Sequence, residues 1–195
     1  IVVLGFKPNL IKDNLKKYKK IKFILNKNYN SREMLYSLIF ALRKYNSDII
    51  FAYTDIIFSH KTVNKIVTCD KKNITIPILS NWKKIWKIRG KNPYEDAESL
   101  FVNNEKLTSI GHKIKKLSKV KYQFMGITFI PKSQRKNILK FYNSIKIKKK
   151  LHLTTFLNKL VKKNFKIDCI RTKEKWYEFD DYFDFLNYKK KFLKG

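Results

Sequence analysis

Residues 31–55 read SREMLYSLIFALRKYNSDIIFAYTD, and this stretch decides the fold class. Ser31 can cap a helix running to about Tyr45, with Leu35, Leu38, Ile39 and Leu42 returning to one face at helical spacing. Asp48 to Tyr53 is then apolar enough to need cover on both faces, which predicts a buried strand. The chain leaves that strand through Thr54-Asp55. In open α/β sheets, ligands bind beyond the carboxyl ends of the strands, so the placement of Asp55 is informative.

The same alternation extends outward. Ile1 to Leu4 is a short strand closed by Gly5, Pro8 opens a helix, and Ile21 to Leu25 is a second strand. His60 to Cys69 reads as a helix and Ile74 to Leu79 as a fourth strand. Strands at Ile1, Ile21 and Ile49 separated by helices predict a three-layer α/β domain with one mostly parallel central sheet and right-handed crossovers. Further on, Ala97–Val102 and Leu107–Ile110 read as short paired strands, and Tyr122–Ile130 as one longer strand. Pro131 starts a helix to about Tyr142, Leu151–Lys163 is helical, Lys166–Arg171 is a strand and Tyr182–Leu193 a last helix. The basic tract Lys146–Lys150 between them reads as a solvated loop. Residues 1–195 are expected to form a single domain with no internal repeat. Because the chain enters directly in a core strand, it is expected to be truncated at its N-terminal side.

Apolar residues make up 44% of the sequence, which excludes a disordered chain, and no apolar run is long enough to span a membrane. The formal net charge of +30 raises nucleic-acid binding as one reading. Against it, only Arg32, Arg43, Arg89, Arg135 and Arg171 are arginine among 45 basic residues. Base and phosphate readers favour the planar guanidinium fork. A lysine excess spread over every exposed face selects no partner, so no specific nucleic acid is expected. Cys69 and Cys169 stand alone, without metal-ligand spacing, and fit reduced thiols of a cytoplasmic enzyme, although sequence leaves a disulfide between them open.

With 15 acidic residues against 45 basic ones, the carboxylates locate chemistry better than the lysines do. Asp55 could hold magnesium at a strand end or cap the following turn. Glu178, Asp180, Asp181 and Asp184 follow Trp176. Asp180 or Asp181 could serve only as the N-cap of the last helix, with the other acids favouring its dipole. Trp82 and Trp86, four residues apart, are core packing or, with Arg89 and Glu98, the wall of a small polar pocket. Lys113, after Gly111-His112, could place an ammonium on a phosphate.

Taken in order, these segments resemble the bacterial nucleotidyltransferases related to phosphocholine cytidylyltransferase and the sugar-1-phosphate nucleotidyltransferases. The resemblance runs from Ile1 to about Leu186. It rests on Asn28-Tyr29-Asn30-Ser31 leading into Met34-Leu35-Tyr36-Ser37-Leu38, and on Tyr53-Thr54-Asp55-Ile56-Ile57-Phe58. It continues through Trp82, Trp86, Arg89, Asn92-Pro93, Asp96-Ala97-Glu98, Ile110-Gly111 and Lys113, and ends with Gly126-Ile127 and Trp176-Tyr177-Glu178-Phe179-Asp180. The resemblance implies a Rossmann-like nucleotidyltransferase domain in which an acceptor phosphate or phosphonate oxygen attacks the α-phosphorus of a nucleoside triphosphate. It implies CTP as nucleotide and a phosphocholine-like, phosphonate or phosphosugar acceptor. The alternatives are a sugar-1-phosphate uridylyl- or thymidylyltransferase, a basic nucleic-acid-binding module and an inactive remnant. Asp55 and Asp180 match the family's catalytic, magnesium-binding aspartates. Trp82, Trp86, Arg89, Glu98, Lys113, Gly126 and Glu178 match the acceptor side. The expected arrangement is one open cleft beyond the Asp55 strand, with Lys113 and Arg89 on its rim.

Three features depart from the family. Its opening strand and Gly-rich loop, which hold the triphosphate, have no counterpart here, so the nucleotide-binding residues stay unassigned and residues 1–195 alone are expected not to turn over. Arg32-Glu33 stands where the family has Thr-Asn, and Thr155 where it has Asp.

Overall fold

The structure, a computed structural model, describes residues 1–30, 33–148 and 150–193. In chain order its first half comprises β1 (Val2–Leu4), α1 (Pro8–Leu15), β2 (Phe23–Leu25), α2 (Met34–Lys44), β3 (Ile49–Ala52), β4 (Ile56–Phe58), α3 (His60–Val67), β5 (Ile74–Leu79), α4 (Trp82–Arg89) and α5 (Pro93–Asp96). The second half comprises β6 (Glu98–Asn103), β7 (Lys106–Lys113), β8 (Gln123–Phe124), β9 (Ile127–Ile130), α6 (Arg135–Ser144), α7 (Leu153–Lys162), β10 (Ile167–Thr172), β11 (Trp176–Glu178) and α8 (Tyr182–Tyr188). The predicted cap Ser31, with Arg32, lies outside the described residues, as does Lys149 of the basic tract.

Every residue of β5 is buried, so this central strand needs cover on both sides. Period-two alternation sends Ile74, Ile76 and Ile78 into one core and Leu79 into the other. The first core is closed by Leu35, Leu38, Ile39 and Leu42 of α2, Ile138 and Tyr142 of α6, and Phe156, Leu157 and Leu160 of α7. The second is closed by Ile66 of α3, Trp82, Ile85 and Trp86 of α4, Trp176 and Tyr177 of β11, and Tyr188 of α8. This is the expected three-layer α/β arrangement. No helix among the described residues is long and apolar enough to cross a membrane.

The central sheet has the order β3-β9-β5-β10-β7-β6, with β8 also on β5. Strands β3, β5, β10 and β6 run one way and β7, β8 and β9 the other, as the antiparallel pairings require, so the sheet is mixed. One expectation needs correction. β1 and β2 pair in parallel with each other, Val3 opposite Ile24, and form a separate two-stranded sheet instead of joining β3. A cavity of about 410 Å³ lined by Val2, Val3, Met34, Ala41, Ile49 and Phe51 separates the facing edges of β1 and β3.

The single strand expected over Tyr122–Ile130 is broken into β8 and β9. Gly126 has φ +72, a left-handed conformation that no extended strand accommodates. The hairpin β6–β7 turns through Asn104 and Glu105, both at positive φ (44 and 60), the requirement of a two-residue type I′ turn. The last helix is α-helical to Tyr188 and continues as a π turn over Lys189–Leu193. Cys69 and Cys169 are both free and belong to opposite cores of the sheet, which answers the question of a disulfide.

Candidate active site

Short strands that sequence does not announce create the site. β4 follows β3 after a three-residue bend and pairs antiparallel with β11, setting Ile56 opposite Glu178. Beyond that pair, the Phe179 N–H donates to the Asp55 carbonyl at 2.9 Å. Asp55 is thereby tied to the Glu178-Phe179-Asp180 segment, and the two aspartates lie close enough for Asp180 to push the Asp55 carboxyl upward. Burial is the larger cause of that rise, while the Asp55 backbone and Arg89 pull the other way. Glu178 is pushed from its ordinary 4.5 to about 7, first by burial and then by Asp180, with Arg89 opposing and Asp55 and Asp96 adding to the rise.

Arg89 sits at the centre of this group. Its Nε and Nη2 donate to the two oxygens of Asp184 at 2.9 and 3.2 Å. Nη2 also reaches Asp180 at 2.5 Å, and Nη1 reaches Asp96 at 3.3 Å and Glu178 at 3.2 Å. Burial pulls the guanidinium pKa down, but the hydrogen bond to Asp184 and the charges of Asp96, Glu178 and Asp184 outweigh it and raise it. Asp181 is the N-cap of α8, accepting from the Asp184 N–H at 3.0 Å, and it also pairs with Lys91. The capping role left open between Asp180 and Asp181 therefore falls to Asp181, while Asp180 bonds Arg89 and keeps 41% of its side chain exposed.

The other expected residues divide. The Tyr53 hydroxyl lies near Glu98, Glu178 and Asp55, since burial first and then these three carboxylates push its pKa up. Lys113 lies opposite Glu98 in the β6–β7 register. It also lines a cavity of about 320 Å³ with His112, Lys115, Lys116 and Lys119. Gly126 supports the Tyr53 ring: its carbonyl accepts from the Tyr53 N–H at 3.0 Å, and a Cβ there would stand 2.9 Å from ring carbon Cδ2.

Trp82, Trp86 and Arg89 correct an expectation. They do not line an open pocket, because Trp82 is 0%, Trp86 3% and Arg89 2% exposed. Trp86 stacks on Trp176 with ring centroids 5.9 Å apart, Trp82 meets Trp86 edge-on at 5.5 Å, and the Trp176 indole N–H donates to the Met125 carbonyl at 3.0 Å. The period of four puts the pair on the core face of α4, so burial is the outcome of their spacing. Sequence reasoning undervalued Asp184, a fully buried acid whose partner lies 95 residues away, and Asp96. Two of the three departures, Glu33 and Thr155, lie near each other: the Glu33 carboxylate is 3.3 Å from His152 Nδ1, and His152 holds the N-cap position of the helix that carries Thr155.

Among the described residues no three His, Cys, Asp or Glu side chains are already arranged to hold a metal ion. Asp55, Glu178 and Asp180 nevertheless supply only hard carboxylate oxygens, the donor type Mg²⁺ takes. In this structure Glu178 and Asp180 are turned onto Arg89.

No protein-family model matches the chain. In sequence it is 25% identical over 193 residues to the CTP:phosphoglutamine cytidylyltransferase of Campylobacter jejuni subsp. jejuni serotype O:2, across 92% of this chain and 76% of that protein. In fold it is similar to the inositol-1-phosphate CTP transferase from T. maritima, with a TM-score of 0.75 at 17% identity, over 94% of this chain and 71% of that one. It is also similar to the CTP:phosphocholine cytidylyltransferase from Streptococcus pneumoniae, with a TM-score of 0.66 at 14% identity, over 97% and 77% of the two chains. The resemblance to nucleotidyltransferases carried by the ordered motifs holds in both sequence and fold.

Proposed function

We propose that this chain carries the catalytic carboxylates of a cytoplasmic cytidylyltransferase, which moves CMP from CTP to a small phosphorylated acceptor and releases pyrophosphate. The observation that carries the proposal is the β4–β11 pairing. It ties Asp55 to Glu178-Phe179-Asp180 in a chain similar almost end to end to a CTP-dependent transferase.

In the reaction, an oxygen of the acceptor phosphate forms a bond to the α-phosphorus of CTP while the bond from that phosphorus to the bridging oxygen of the β-phosphate breaks. Both the five-coordinate phosphorus and the departing pyrophosphate concentrate negative charge. Asp55 and Asp180 are the residues that would hold Mg²⁺, which when bound offsets that charge. Glu178 stands beside them. Lys113, across the β6–β7 ladder from Glu98, is the residue we assign to the acceptor phosphate, as a point charge. Tyr53, backed by Gly126, stands near Glu98 as well as the carboxylates.

The buried tryptophans narrow the acceptor. A quaternary ammonium needs open aromatic faces, whereas Trp82, Trp86 and Trp176 are packed on one another in the core. An acceptor recognised through hydrogen bonds and paired charges, as the amide, ammonium and carboxylate groups of phosphoglutamine can be, therefore suits this site better than phosphocholine. The test is acceptor-dependent pyrophosphate release by the full-length gene product with CTP, UTP and dTTP in parallel, each against phosphoglutamine, phosphocholine and a sugar 1-phosphate. Turnover restricted to CTP with phosphoglutamine is expected. Preference for UTP or dTTP with the sugar phosphate would replace this assignment with the uridylyl- or thymidylyltransferase reading.

A further inference from the structure

We propose that Arg89 is a positioning residue for the metal-site carboxylates and makes no contact with the acceptor, an inference that rests on the functional reading of Asp55 and Asp180. The guanidinium has five N–H donors, and the structure gives each a carboxylate: Asp184 takes two, and Asp180, Glu178 and Asp96 one apiece. None remains for a ligand. The side chain is fully buried, and its charged carbon lies 5.0 Å from the Trp86 ring centroid, so one face of the plane is closed as well. Arg89 also ends α4, where Gly90 in the left-handed conformation and a bond from the Asn187 side chain to the Arg89 carbonyl at 2.9 Å fix its backbone.

The carboxylates around Arg89 are not equivalent. Asp184 is fully buried, bonded to the guanidinium in a two-point fork, and it also accepts the Asp180 N–H at 2.9 Å. Its own backbone carbonyl accepts from the Tyr177 hydroxyl at 3.1 Å. Arg89 and Asp184 thus form a fixed inner pair that anchors both the backbone and the side chain of Asp180. The outer carboxylates reach solvent, with 19% of the Asp96 side chain, 21% of that of Glu178 and 41% of that of Asp180 exposed. Of these, Glu178 and Asp180 flank Phe179, whose N–H donates to the Asp55 carbonyl, so they are the two that can turn toward an ion at Asp55 while the inner pair stays in place. Arg89 and Lys91, which lies 3.7 Å from Asp184 and also pairs with Asp181, are outnumbered by the acids around them, and the remaining negative charge is what a divalent cation at Asp55 and Asp180 would meet. A planar fork can aim several carboxylates at once, whereas a lysine ammonium is a point charge.

The test uses the full-length gene product and reads metal binding separately from turnover. Mn²⁺ affinity is measured by electron paramagnetic resonance without nucleotide, beside kcat and the acceptor KM, for the parent, Arg89→Lys and Asp184→Asn. Removing an orienting partner of a metal ligand lowers affinity by roughly 10- to 100-fold, so both variants are expected to bind Mn²⁺ at least about tenfold more weakly. Their kcat should fall while the acceptor KM stays the same. A raised acceptor KM with unchanged Mn²⁺ affinity would make Arg89 a substrate contact and overturn the proposal, as would unchanged values of both. Should either variant fail to fold, the parent decides: its Arg89 Nε–H resonance is expected to shift on adding Mg²⁺ and to stay put on adding acceptor alone, and the reverse pattern refutes the positioning role. A parent that binds Mn²⁺ but turns over no nucleotide would count against the functional reading alone.

Discussion

Replacing Glu178 by glutamine isolates an electrostatic strain that the site carries without metal. The Glu178 carboxyl is raised from 4.5 to about 7, chiefly by burial and by Asp180, against the pull of Arg89. A group whose pKa is higher in the folded than in the unfolded chain adds stability below the unfolded value and loses it as pH rises through the folded one. Between pH 4.5 and about 7 the folded protein keeps the Glu178 proton while the unfolded chain gives it up. A span of that size corresponds to about 3 kcal/mol, with each unit near 1.4 kcal/mol. Glutamine mimics the protonated acid at every pH. Urea unfolding of parent and Glu178→Gln, followed from about pH 4.5 to above 7 in chelator, should therefore show the difference shifting toward the variant by up to about 3 kcal/mol. Comparing the two proteins cancels the general effect of the large positive charge. Excess Mg²⁺ should shrink the shift, because an ion on the neighbouring carboxylates favours the ionised acid. A difference that is flat with pH, or that shifts toward the parent, would refute the placement of Glu178 among these charges.

Other outcomes follow from single residues. Gly126→Ala should destabilise by about 2–4 kcal/mol, because the left-handed backbone alone costs roughly 1–2 kcal/mol and the new methyl meets the Tyr53 ring at 2.9 Å. Combining it with Tyr53→Ala should remove only the steric share, and strict additivity in that cycle would contradict the contact. Ile39, fully buried between α2 and the sheet, should lose about 2–5 kcal/mol on truncation to alanine, read by urea melts. The Cys169 thiol, pushed by burial up to about 12, should react with a thiol reagent only as the protein unfolds, and prompt labelling of both cysteines in the native protein would contradict its placement.

Most of the fold was legible because β-branched runs and helical spacing signal locally. Ile74–Leu79 reads as a strand and is one, and the α2 stripe of Leu35, Leu38, Ile39 and Leu42 is the face that the structure buries. The break at Gly126 was missed, although the glycine inside an apolar run was its signal. The separation of β1 and β2 from β3 had no sequence signal, since strand neighbours are set by non-local pairing. β4 and β11 were invisible for the same reason: three residues each, too short to show a period, and paired across most of the chain. Asp55 and the acids after Trp176 could be singled out because acids are scarce in so basic a sequence. What each does could not be read, since burial decides it. Asp184, expected to favour a helix dipole, is the buried anchor of Arg89, and Asp181 supplies the cap.

CMP transfer through Asp55 is decided by phosphorus NMR of the full-length gene product with CTP, Mg²⁺ and phosphoglutamine. Loss of the acceptor monophosphate signal, matched by pyrophosphate and a new diphosphate linkage, is the expected result. Asp55→Asn should make neither product while unfolding in urea at least as late as the parent, because the carboxyl it removes is raised, first by burial. Product formation by Asp55→Asn at the parent rate, or pyrophosphate released by the parent without a diphosphate-linked product, would contradict CMP transfer through Asp55.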